Sequence, residues 1–142
     1  MADFFGPSYN YDECNSVMES EVSGYGDMEA AIPKRVMNKL LAWLHANLIA
    51  SMQNHFRKVT RAMISSPGFN DNVNDYCGLL VDQATSTIPE LRPAMFIPGA
   101  KHRALNVIKM QVKQGLVLLL VGSGENYNDA KAFVDLYVTD TV

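Results

Sequence analysis

The stretch PKRVMNKLLAWLHANLIASMQNHFRKVTRAMI, residues 33–64, decides the fold class. After Pro33 no glycine or proline interrupts it. Val36, Met37, Leu41, Leu44, Leu48, Met52, Phe56, Val59 and Met63 recur at three- and four-residue steps, which places them on one face of an α-helix. Pro33 suits a first helical turn, where its missing N–H costs nothing. Asp27 and Glu29 lie upstream, where acids complement a helix N-terminus. Ser65-Ser66-Pro67-Gly68 ends the run. A helix over 33–64 would be about 48 Å long, more than a small domain covers.

Downstream the pattern stays helical. Asn70 or Asp71 can cap a second helix over about 71–85, with Val73, Tyr76, Cys77, Leu80 and Ala84 as its apolar stripe. Pro89, Pro93 and Pro98 break the chain into a connector with room for one short turn. A third helix is expected from Gly99 to Val121. Leu105, Ile108, Val112, Leu116 and Leu119 share one face of it, and Arg103, Asn106, Lys109 and Lys113 share the opposite, polar one. Leu116–Val121 is apolar all round and should be its most buried part. After Gly122-Ser123-Gly124, Asn126 or Asn128 can cap a last helix with Ala130, Phe133, Val134 and Tyr137 turned inward. The expectation is an all-α bundle of about four helices with one long helix in its N-terminal half. The alternative is an α+β fold with a short strand near 117–121; residues 134–142 also have some strand character.

The 142 residues, 48% of them apolar, fit one domain with a core of its own. We divide the chain into an arm over 1–27 and a helical domain over 28–142. The arm has no sustained period and is rich in Gly, Ser, Asp, Asn and Glu, yet it holds Phe4, Phe5, Tyr9, Tyr11 and Tyr25. Disordered tails are poor in aromatics, so this arm should dock on its own body or on a neighbouring subunit. The longest apolar run, Leu116–Val121, is far shorter than the roughly 20 residues of a membrane span, and the start of the chain lacks the pattern of a signal peptide. No membrane partner is expected. Cys14 and Cys77 form no paired motif, which favours two free thiols in a reducing compartment over one bridge.

The net charge of −3 hides an asymmetry. Residues 1–29 carry seven acids and no Lys or Arg, whereas residues 30–70 carry six bases and no acid. On a helix over 33–64, Arg35, Lys39, Arg57, Lys58 and Arg61 fall opposite the apolar stripe, with Trp43 among them. Cations with an interleaved aromatic suit a phosphate backbone and a stacked base; they also suit an ordinary solvated face.

Other candidates are weaker. Gly122-Ser123-Gly124-Glu125 resembles a phosphate-cradling turn in composition, but lacks the third glycine of a dinucleotide fingerprint and the Gly-Lys-Ser/Thr of a P-loop. His45 and His55 are ten residues apart, not a one-turn metal pair, and His102 sits between Lys101 and Arg103 at a helix start. Met37, Met52 and Met63 on one stripe read as core filling. No nucleophile with a base and an orienting acid is visible, so neither catalysis nor a cofactor is expected.

Two functions follow as expectations. The first is a non-enzymatic, self-assembling structural protein of the coat, filament or virion-component kind. It would be a homo-oligomer, intracellular or in a virion, using Phe4, Phe5, Tyr9 and Tyr11 of the arm for subunit contacts. The alternative is a nucleic-acid-binding module whose positive surface is Arg35, Lys39, Trp43, Arg57, Lys58 and Arg61 together with Lys101–Lys113, with the acidic arm as competitor.

Overall fold

The structure, a computed structural model, describes residues 32–142. The arm and its aromatic residues Phe4, Phe5, Tyr9 and Tyr11 lie outside the described residues, as does Cys14. The described chain is mostly helical and contains no strand: α1 (Lys34–Phe56), α2 (Arg61–Ile64), α3 (Phe69–Thr87), α4 (Leu91–Ala94), α5 (Ala100–Gly122) and α6 (Tyr127–Tyr137). The α+β alternative is thereby replaced, because 117–121 is helical and the chain after Tyr137 forms no ladder.

Helix α1 is shorter than its pattern predicts. Pro33 sits just before its first residue, with an extended ψ of 136°, and its carbonyl accepts the N–H groups of Val36 and Met37. The stripe Val36, Met37, Leu40, Leu41, Leu44, Leu48, Met52 and Phe56 is buried as expected. The helix stops at Arg57, whose φ of 62° lies where side chains other than glycine's are crowded. Thr60 then caps α2, its Oγ1 accepting the Met63 N–H at 3.2 Å. The break brings Ile64 into the core and keeps Val59 there. In a continuous helix Ile64 would lie about 80° off the stripe set by Phe56. Burial of a large aliphatic side chain, worth about 1.5–3 kcal/mol, outweighs local helix propensity here.

The turn into α3 depends on Gly68, at φ 81°. Nothing stands near a Cβ added there, so the backbone conformation rather than space calls for glycine. Helix α3 begins two residues earlier than expected, and Asn70 is not its cap; its side chain faces α5 and the C-terminal segment instead. The helix ends at Ile88, which is extended as a residue before proline should be. Ser51 on α1 meets Tyr76 on α3, while Lys39 meets Glu90 just beyond it. The two helices therefore run antiparallel.

Helix α5 packs against α1, α3 and α6. It is buried on nearly every side between Arg103 and Val117, whereas Leu118, Leu119 and Val121 are half-buried. Its middle, not its end, is the deepest part. By length and composition it could cross a membrane, but most of its apolar window is buried inside this fold. Asn126 caps α6, its Oδ1 accepting the N–H groups of Asn128 at 2.9 Å and Asp129 at 3.3 Å. Ala130 and Val134 face inward, but Tyr137 does not: it is exposed, and Phe133 is half-buried.

Candidate functional site

The break after Phe56 divides the basic face. Arg35, Lys39 and Trp43 share a stripe on α1, Arg57 and Lys58 lie in the break, and Arg61 starts α2. Angles reckoned along one helix do not carry across a break. Lys39 is ion-paired with Glu90. Arg61 Nε donates to Glu125 Oε1 at 2.7 Å, and its guanidinium lies 4.7 Å from the centroid of the Phe133 ring. Arg35, Arg57 and Lys58 are exposed. The structure thus joins Arg35, Lys39 and Trp43 and separates them from the other three.

The second correction concerns α5. Arg103, Asn106, Lys109 and Lys113, expected on a solvated face, are all buried. Lys109 is fully buried, and its ammonium donates to Asn70 Oδ1 at 2.9 Å, Thr139 Oγ1 at 2.6 Å and the Thr141 carbonyl at 2.9 Å. Three acceptors match the three N–H bonds of an ammonium, and all three oxygens are neutral. One turn on, Lys113 Nζ meets Asp135 Oδ1 at 2.9 Å and Asp140 Oδ1 at 2.6 Å. Asn106 Oδ1 accepts the Val142 N–H at 2.9 Å. Asn70 Oδ1 also accepts the Thr139 N–H at 3.1 Å. These bonds strap residues 138–142 across α5.

The two lysines respond to burial in opposite ways. Desolvation pushes Lys109 below the ordinary lysine value. Desolvation also opposes the charge on Lys113, but the bonds from Asp135 and Asp140 win and hold it above that value. Burial likewise works against the Asp135 charge, and Lys113 and Lys131 overcome it and lower its pKa. Burial pushes the Cys77 thiol up to about 12, with Lys109 pulling the other way, and the thiol lies in the core. Burial also raises Tyr76 to about 12 against the lowering effect of its bond with Ser51.

No local motif could have found this cluster, because the oxygens that hold Lys109 lie 30 or more residues away in sequence. The remaining candidates have plain places. Ser123 Oγ donates to the Leu120 carbonyl, Gly124 has φ 107°, and Glu125 is held by Arg61, so 122–125 is a helix stop. His55 stacks on Tyr76 with ring centroids 4.4 Å apart, and His102 is exposed at the start of α5. Among the described residues no group of His, Cys, Asp and Glu is placed to hold a metal.

Two surface features remain. A groove of about 760 Å³ runs between α1 and α3, lined by Trp43, Asn47, Ala50, Ser51 and Asn54 on one side and Leu80 and Gln83 on the other. An apolar patch lies on α6, where Leu136 is 77% exposed and Tyr137 stands beside Phe133 with ring centroids 5.0 Å apart. Protein-family models, curated proteins and solved structures contain no match to this chain.

Proposed function

We propose that this chain is a non-enzymatic structural protein that assembles with copies of itself, as a coat, filament or virion component does. Its body is a bundle of four main helices over 28–142, and its arm over 1–27 reaches a neighbouring subunit through Phe4, Phe5, Tyr9 and Tyr11. The observation that carries this reading is the outer face of α6. Leu136 is exposed on the side of the helix away from Ala130 and Val134, which fill the core, and Tyr137, exposed at the last turn, stands one turn from Phe133. An apolar side chain as open as Leu136 gains about 1.5–3 kcal/mol on burial, and a two-fold contact uses such a patch twice. We place the protein in a reducing compartment or a virion, in keeping with the free, buried Cys77.

Nucleic-acid binding is the weaker proposal. Lys109, Lys113 and Arg103 lie inside the fold rather than on a positive surface, and Lys39 and Arg61 are each ion-paired. A phosphate chain would rely on the exposed Arg35, Arg57, Lys58 and Lys101.

Light scattering coupled to size-exclusion chromatography tests assembly on the full chain. The wild type is expected to form a defined oligomer, Leu136→Asp to shift it toward monomer, and replacement of Phe4, Phe5, Tyr9 and Tyr11 by serine to do the same. A wild type that stays monomeric at every concentration sinks the proposal.

A further inference from the structure

We propose that the groove between α1 and α3 binds a neutral, polyhydroxylated ligand: an oligosaccharide segment. Its apolar C–H face would lie on the Trp43 indole, and its hydroxyls would bond to side-chain amides. This goes beyond the assembly reading and does not depend on it.

Trp43, Asn47, Ala50 and Asn54 follow one another at helical steps of four, three and four residues, so they form a line about 16 Å long down one side of α1. Leu80 and Gln83 of α3 face that line, and the volume falls within the roughly 300–1,000 Å³ of small-molecule sites.

The lining chemistry then narrows the ligand. None of the nine lining residues is ionisable, and four of them (Asn47, Gln53, Asn54 and Gln83) carry amides. An amide offers donors and acceptors side by side, as a row of hydroxyls does. Asn47 Nδ2 gives one of its two N–H bonds to the Trp43 carbonyl and Ser51 bonds to Tyr76, which leaves the rest of the Asn47 amide with the amides of Gln53, Asn54 and Gln83 to face a ligand. A wholly apolar ligand would leave those amides without partners, at about 1–3 kcal/mol for each one desolvated.

Charge excludes the polyanion. No lining residue is a cation that could hold a phosphate, and Lys39, one turn before Trp43, is neutralised by Glu90. A sugar chain needs no cation. Trp43 supplies the flat partner: it is half-buried, anchored against the core, and opens on the groove.

Trp43 is the one tryptophan in the chain, so its fluorescence reports on this groove alone. The full-length protein is titrated with uncharged oligosaccharides built from glucose, galactose, mannose and N-acetylglucosamine, and in parallel with a single-stranded oligonucleotide. The expected result is a saturable change in emission with at least one of the sugars at up to millimolar concentration, insensitive to salt. Asn54→Ala and Gln83→Ala should each weaken it several-fold, and Lys58→Ala should leave it unchanged. Circular dichroism confirms that both groove variants, whose replaced side chains are exposed, keep the fold. The proposal is overturned by no saturable response to any of the sugars. It is overturned equally by a response that survives both groove substitutions together, or by a salt-sensitive response to the oligonucleotide alone.

Discussion

Replacing Lys109 by methionine should harm the protein less than replacing Asn70, one of its acceptors, by alanine. Lys109 is fully buried and gives its three N–H bonds to Asn70 Oδ1, Thr139 Oγ1 and the Thr141 carbonyl. Each hydrogen bond to a charged group is worth about 1.5–3 kcal/mol. Asn70→Ala removes one of them and leaves an ammonium N–H facing the interior, so the loss should be about 2–3 kcal/mol. Lys109→Met removes the charge as well, together with a desolvation penalty of several kcal/mol. The oxygens it abandons are easily served: Thr139 and Thr141 are exposed and can turn to water, and Asn70 Oδ1 keeps the Thr139 N–H. Its cost should stay within about 1 kcal/mol, and a gain would be in keeping with buried ion groups elsewhere. In the Lys109→Met background Asn70→Ala should lose most of its effect, which is a coupling of about 1–2 kcal/mol. Urea denaturation of the wild type, both single variants and the double variant, followed by circular dichroism, measures all four terms. If Lys109→Met costs more than Asn70→Ala, or the coupling is zero, the account of this lysine is wrong.

Other consequences are as direct. Arg57→Gly should stabilise the protein by about 0.5–1 kcal/mol and Arg57→Val should destabilise it by about 1–2 kcal/mol, since φ 62° suits glycine and punishes a β-branched residue; thermal denaturation of the two variants reads the difference. In a Cys14→Ser background the Cys77 thiol, raised to about 12 and buried, should not react with an aromatic disulfide reagent until the protein is unfolded. The lysine pair predicts the pH dependence. The contribution of Lys113 is complete below the ordinary lysine value of 10.5 and is lost as pH rises through its higher folded value; Lys109, lowered, imposes its penalty below its folded value and relieves it as pH rises toward 10.5. On the acid side, the contribution of Asp135 is present above 3.8 and lost as pH falls through its lower folded value. Lys113→Met should therefore flatten the acid limb of the stability curve, measured as urea midpoints across pH; an unchanged limb would show that the Lys113–Asp135 contact contributes nothing.

Much of the architecture was legible because helices announce themselves locally. The stripe from Val36 to Phe56 and the prolines at 89, 93 and 98 stand where the pattern put them, and of the two caps it offered, Asn126 and Asn128, the first is used. The errors fall where a distant partner overrode a local preference. The break after Phe56 carries no glycine or proline; its one local sign is Thr60, a capping residue inside an unbroken apolar period. The candidate site was legible in part. Arg35, Lys39 and Trp43 do share a stripe, but Asn47, Asn54 and Gln83 carry no signal until α3 is laid beside α1.

By itself, then, the sequence determined the helices and which side of each is apolar, because an i, i+3, i+4 period is a property of neighbouring residues alone. Only the tertiary structure decided what the polar sides do. On α5 Asn106, Lys109 and Lys113, members of an apparent solvent face, lie under the C-terminal strap, and on α1 Trp43, from an apparent basic face, lines an uncharged groove. The physical reason on α5 is that a polar side chain satisfied by partners distant in sequence can be buried at little cost, and residue type alone does not tell a satisfied amine or amide from a solvated one.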